Sequence, residues 1–378
     1  MRMRNITLII LTILLFGCNE KGEDTQLLTP NPSLLTNTET EFAENFKIKK
    51  DSSYVSLSIL SPWETGKVLY TYYLVKHDSI QTPTGGVKIQ VPIQNIAVNS
   101  CSHVAYIDAL GESGKIVAST DPTYVYNENF RNQLEAGKIE NLGGSYDMNF
   151  EKILKVSPKV LMITGFKGVD NTALRTQEAG ISVVYNYEWV EKTVLGRAEW
   201  IKVFGELFDE RDKADSIFNE IKTEYLRCAE LASGAENKPK VLSGAPYKGT
   251  WYIPGGKTFM AEFYRNSGMS YYYEDNKDNF SLALSLETVM GNFLSSDIWV
   301  GVDVKTYDAL AAQDERLMLF KPAKNKKVYH HLNRTTTGGN DFWESAMLRP
   351  DILLKDFIRI AHPALLPDWQ LYYLGALK

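Results

Sequence analysis

Along this chain the spacing of apolar residues changes three times, and each change predicts a different kind of structure. Ile6 to Phe16 is apolar apart from two threonines, follows Arg2 and Arg4, and runs into Leu15-Phe16-Gly17-Cys18. A run of that length is too short to span a bilayer as a helix but suits the apolar region of a secretory signal. Residues 25–40 (TQLLTPNPSLLTNTET) carry Thr, Pro and Asn with weak periodicity, which predicts a spacer. Three short runs rich in Val, Ile and Tyr come next, at Tyr54 to Leu60, Val68 to Lys76 and Val87 to Val91, with a turn at Thr84-Gly85-Gly86. They predict a small antiparallel sheet.

From Ile96 onward short apolar runs alternate with helical spacing. Ile96 to Val98 leads into Ser100-Cys101-Ser102-His103 and a helical VAYIDAL, Val160 to Ile163 leads to Gly165-Phe166, and Ile181 to Tyr185 follows a helix from Asn171 to Ala179. The same alternation restarts at Lys240-Val241-Leu242, continues through a helix at Thr258 to Ser267 and returns to a strand at Ile298 to Val300. Strand-helix alternation predicts the α/β class with parallel-type sheets. Between the two regions, Ala214, Ile217, Phe218, Ile221, Tyr225 and Cys228 recur at helical spacing within Asp209 to Leu231. One helix over that stretch would be about 35 Å long. Such a helix could join two lobes or sit in the core of one.

Two helix starts resemble each other. Asn149-Phe150-Glu151 precedes a short helix, Ser157-Pro158 and the strand VLMI, while Ser285-Leu286-Glu287 precedes a short helix, Ser295-Ser296-Asp297 and the strand IWV. Each pairs a capping residue with a first-turn glutamate. A carboxylate there stabilises its helix by roughly 0.3 to 1 kcal/mol, which accounts for each glutamate singly. The matched pair suggests an internal duplication.

Charge and composition narrow the function. The formal charge is −5 and no Lys/Arg block is long enough to track phosphates, so nucleic acid is not expected as a partner. Twenty-one Tyr, sixteen Phe and seven Trp could furnish a core or the wall of a large pocket. The Leu-Phe-Gly-Cys sequence is a lipobox followed by the polar stretch Asn19 to Asp24. Signal cleavage before Cys18 would leave that residue to carry a lipid and tether the protein to an envelope membrane. An ordinary secretory signal or an uncut anchor would share these features. Beyond Cys18 only Cys101 and Cys228 remain, which excludes a CxxC metal site and a dense disulfide frame.

Other chemistry finds little support. Gly255-Gly256-Lys257-Thr258 ends like a phosphate loop, but the position that needs the first glycine holds Trp251. His330 and His331 are adjacent and would point to opposite faces of an extended segment, and neither HExxH nor GxSxG is present. No metal site and no catalytic residue is expected.

The order of these pieces resembles the iron-chelate and vitamin B12 type of substrate-binding protein of ABC importers. The likeness is carried by NIAVNSCSHVAYIDALGESGKIVA, NLGGSYDMNFEKILKVSPKVLMI, the linking helix, KPKVLSGAPYKGTWYIPGGKTFMAEF and LSLETVMGNFLSSDIWV. It implies two Rossmann-like lobes joined by a long α-helix, with a small N-terminal β extension. The corresponding boundaries are a signal at 1–17, a lipid-anchored tether at 18–40, the extension at 41–92, lobes at 93–208 and 233–378, and the linking helix at 209–232. The resemblance also implies that Glu151 and Glu287 dock on a permease dimer, and that a corrinoid, haem or ferric-siderophore ligand lies between the lobes. No cofactor is implied beyond the Co or Fe such a ligand carries, and the setting implied is the bacterial cell envelope, outside the cytoplasm. The ligand wall it implies is Tyr124, Tyr146, Phe166, Trp251 and Phe280, to which His103, Arg334 and Trp343 are added as further candidates. Trp251 is favoured because its Gly249 to Gly256 surroundings read as an exposed loop. A tetrapyrrole chelatase or lyase, or a surface lipoprotein that binds protein or glycan, remains open as an alternative.

Overall fold

The computed structural model describes residues 40–168 and 170–378. Cys18 and the signal segment, with the tether up to residue 39, lie outside the described residues.

Two five-stranded sheets organise the α/β body. In the first, Ser182–Asn186, Val160–Thr164, Ile96–Val98, Ile116–Ser119 and Glu140–Asn141 lie side by side and all parallel. In the second, Ser270–Tyr271, Lys240–Ser243, Ile298–Val302 and Val328–His330 are parallel, and Gly375–Ala376 closes one edge antiparallel. The central strands are buried on both faces, as in Val160 to Ile163 and Ile298 to Val300, because helices cover both sides. The pattern therefore reads as apolar runs without alternation.

Helix Arg211–Ser233 separates the sheets in sequence, with Ala214, Phe218, Ile221, Tyr225 and Cys228 on its buried face. Asp209 takes a left-handed conformation just before it (φ 63°) and ends the preceding helix Ile201–Phe208. The long helix packs against that predecessor and against Pro350–Ala361, so the C-terminal part of the chain returns to the junction between the sheets.

The N-terminal extension differs from its expectation in two ways. It has four strands, Phe46–Lys50 being the additional one, and Val87–Gln90 pairs parallel to Val68–Val75. Only the first two pairings are antiparallel. Phe46, Ile48, Leu57, Tyr72, Leu74 and Ile89 form its buried face, with Phe46 edge-on to Trp200 at 4.9 Å and Tyr70 stacked on Tyr185 at 4.0 Å. Carboxylates fix its start. Glu199 accepts from the backbone N–H groups of Glu41, Phe42 and Ala43, and Glu191 accepts from those of Glu44 and Asn45.

Candidate functional site

The carboxyl ends of the strands of both sheets face a shared cleft of about 1170 Å³. From the first lobe come Trp189 to Thr193, the turn after strand Ser182–Asn186. The second lobe contributes Ser243, Gly244 and Gly301 at its strand ends, Tyr252 from strand Thr250–Pro254, Phe280 just before the strand Ser281–Leu284 that pairs antiparallel with it, and His331, Phe342 and Trp343.

Aromatic rings stand on both walls. Tyr146, Phe166 and Trp189 form a chain with centroid spacings of 5.6 and 5.3 Å, and the Trp189 indole donates to the Gly165 carbonyl at 3.0 Å. Gly165 is required there, since a Cβ would lie 2.3 Å from the Tyr187 ring. Opposite, Tyr252, Phe280 and Trp343 are half exposed or more. Trp343 stands edge-on to His331 at 5.7 Å.

Charge in the cleft divides by accessibility. Glu191 is buried and Glu262 half-buried, both accept from backbone N–H groups, the latter from Val194 at 3.0 Å, and burial pushes both carboxyls up to about 7. Lys192, Lys257, Arg265 and Lys277 are exposed. Lys192 pairs with Glu44, while Lys257 and Lys277 form no ion pair among the described residues. The free charge facing an incoming molecule is thus positive. Burial also lowers the His331 imidazole, which keeps the ring neutral and its lone pair available. Among the described residues no group of three or more His, Cys, Asp or Glu side chains could hold a metal ion.

The residues singled out in the sequence part company here. Phe280 and Trp343 line the cleft, and Phe166 joins it through Trp189. Tyr146 stands 88% exposed at the rim. Tyr124 is exposed beside Gly338, away from the cleft lining. Trp251 does not reach the cleft. It is wholly buried, donates to the Ser243 carbonyl at 2.8 Å and packs on Trp299 and Phe320. It lies in strand Thr250–Pro254, where successive side chains point to opposite faces, and its neighbour Tyr252 is the one that faces out.

His103 is likewise sealed in, near Phe204, on the inner face of helix Cys101–Ala109. Neither ring nitrogen has a partner, and burial lowers its pKa to about 3. It is not part of the cleft lining. Arg334 is also engaged elsewhere. It pairs with buried Asp341 at 2.6 Å, stacks over Tyr372 and Tyr126, and lines a separate groove of about 740 Å³ behind the cleft. Sequence reasoning missed Trp189, Tyr252 and His331. Their shared signal is position: Trp189 and His331 stand just past the carboxyl ends of parallel strands, where ligands of open α/β sheets bind.

Glu151 and Glu287 occupy equivalent places. Asn149 caps helix Phe150–Val156 through the Lys152 N–H, and Ser285 caps Leu286–Phe293 through the Thr288 N–H. Each glutamate is exposed in the first turn, and each helix leads to a central strand, Val160–Thr164 or Ile298–Val302. Hydrogen bonds at the helix start and the nearby Arg316, at 3.1 Å, hold the Glu287 carboxyl below its ordinary range.

Residues 96–335 match the family model described as periplasmic binding protein. Among curated proteins, an uncharacterized lipoprotein of Methanocaldococcus jannaschii is 26% identical over 288 residues, 73% of this chain; the chain spans 66% of that relative's length. A second lipoprotein of that organism is 23% identical over 308 residues, 76% of this chain and 75% of its own. Among solved structures, a periplasmic heme-binding protein from Pseudomonas aeruginosa superposes with a TM-score of 0.59 at 16% identity, covering 76% of this chain and 98% of its own. A protein of an Fe3+-hydroxamate transport system from Saccharomonospora viridis gives 0.54 at 18% identity, covering 72% and 94%. The structural likenesses establish a shared two-lobed fold. With its family match running from the first strand of one sheet to beyond the central strands of the other, the chain belongs to the periplasmic binding protein family.

Proposed function

We propose that this protein captures a bulky metal chelate of the haem, corrinoid or ferric-siderophore class outside the cytoplasm and hands it to an ABC importer. The observation that carries the reading is the interlobe cleft, with Trp189 facing Tyr252, Phe280 and Trp343 and with Lys257 and Lys277 free at its edge. Its volume suits a ligand of that size, since aromatic rings bury large areas at small conformational cost and unpaired lysines favour an anionic periphery. The names of the relatives and the lipobox support a lipid anchor at Cys18.

The direct test is thermal shift of the protein lacking residues 1–18, with haemin, cobalamin and a ferric hydroxamate as probes. A ligand at one hundred times its Kd should add about 2.7 kcal/mol of stability. No shift with any probe sinks the proposal. His331 then separates ligand classes. A haemin or corrinoid metal with an open coordination position should change its absorption spectrum on binding and lose that change in His331→Ala. A saturated ferric chelate should show neither effect.

Glu151 and Glu287 are the proposed contacts with the permease. Reversing both charges should leave probe binding intact while cellular uptake falls to background. Retained uptake would return both residues to their role as helix-start carboxylates.

A further inference from the structure

The segment after strand Val328–His330 is a tight hairpin. Thr335 bridges Asn340, the Thr336 N–H donates to the Gly339 carbonyl at 2.9 Å, and the Asp341 N–H donates to the Arg334 carbonyl at 3.0 Å. It belongs to the second lobe through the strand before it but lies against the first. At its tip Gly338 has a left-handed φ of 90°, and a Cβ there would sit 2.7 Å from the Thr123 carbonyl oxygen. The Arg131 guanidinium of the first lobe donates to the Thr336 hydroxyl at 3.3 Å. At the base, buried Glu344 accepts from the backbone N–H groups of Tyr126 at 2.7 Å and Asn127 at 3.0 Å, at the start of helix Glu128–Glu135. The Cys101 thiol approaches the Trp343 carbonyl at 3.5 Å.

The hairpin also has two faces. His331, Phe342 and Trp343 look into the cleft, while Arg334, Thr336, Asp341 and Glu344 line the groove behind it. We propose that Arg334 to Glu344 form a strap that pins the two lobes at a fixed separation and walls off the rear of the cleft, with Glu344 as the positioning residue. Bound ligand then leaves by the front only, and capture needs little lobe closure. The inference rests on the cleft being the ligand site.

Two variants loosen the strap without altering the cleft lining. Gly338→Val places a branched side chain against Thr123, and Glu344→Ala removes the acceptor of two N–H groups. For each, small-angle scattering of the ligand-free protein should show a larger radius of gyration than wild type and compaction on adding haemin. Wild type should show neither. Haemin dissociation should be roughly tenfold faster in both, since changes of this kind act on off-rates. Thr337→Ala, an exposed position on the hairpin, should match wild type.

Variants that keep wild-type circular dichroism, scattering and off-rate would overturn the proposal. Should neither variant fold, hydrogen exchange of the wild type decides. The Tyr126 and Asn127 amides must be protected without ligand, and exchange at open-loop rates would overturn the strap. If none of the probes binds, the functional reading fails, while scattering and exchange of the ligand-free protein still judge the strap.

Discussion

The N-terminal sheet and the strap both lie largely outside residues 96–335 of the family match, and both attach by carboxylates that accept backbone N–H groups. Glu199 and Glu191 hold the start of the sheet, and Glu344 holds the strap. What differs is the rest of the contact. The sheet lays an apolar face, Phe46 to Ile89, on the first lobe alone, so its energy comes from burial. The strap commits one large apolar side chain, Phe342, to the core and touches both lobes, so what it contributes is chiefly geometry. Similar anchors thus enlarge one body in the first case and couple two bodies in the second.

The comparison can be broken at several points. Phe46→Ala should have the largest effect, about 3–5 kcal/mol by the usual cost of emptying a core aromatic site, read by denaturant unfolding. The lobe separation should not change. Glu199→Ala strands the N–H groups of Phe42 and Ala43, at about 1–3 kcal/mol for a buried unpaired group, again with unaltered scattering. Glu344→Ala should cost less stability than Glu199→Ala yet be the one to change the scattering curve. If Glu199→Ala also separated the lobes, the contrast between the two attachments would fail.

The smallest expected effect is on pH dependence. Burial raises the folded-state carboxyls of Glu191 and Glu262 to about 7 and of Glu344 to about 8. An unfolded glutamate titrates near about 4.3. Between those values the folded chain holds protons on these three carboxyls that the unfolded chain has released, so their contribution to stability is full below about pH 4 and is lost as pH rises toward 8. Buried His103, lowered to about 3, and His330, lowered to about 4, work in the opposite sense below about pH 6.5. Above about pH 6.5, where the histidines no longer contribute, melting temperature should fall toward pH 8 and then level off. In Glu344→Ala the decline should end earlier, near pH 7.

The parts of the fold visible in the sequence were those with a period. The 3.6-residue spacing of Ala214 to Cys228 marked the long helix, and capping residues with following glutamates marked the paired helix starts. Strand Phe46–Lys50 alternates as a half-buried strand should, but five residues beside an acidic segment give a weak signal. The parallel pairing of Val87–Gln90 depends on a crossover that no local pattern encodes. At the site, alternation tells that Trp251 and Tyr252 face opposite ways, not which of them faces inward. Tertiary packing against Trp299 decides that. The strap had no apolar period to read, because Phe342 is its one core side chain and backbone and carboxylate contacts hold the rest.

The placement of the indoles has an optical consequence. Trp200, Trp251 and Trp299 are sealed in the interior, whereas Trp189 and Trp343 border the cleft. Emission from the first group should lie toward the blue and resist collisional quenching by acrylamide, while that of the second should be red-shifted and readily quenched. An occupant of the cleft would shield Trp189 and Trp343 and leave the interior group, and the half-buried Trp63 and Trp369 elsewhere, unchanged, so the chain contains both a gauge of occupancy and its internal reference, with no attached dye.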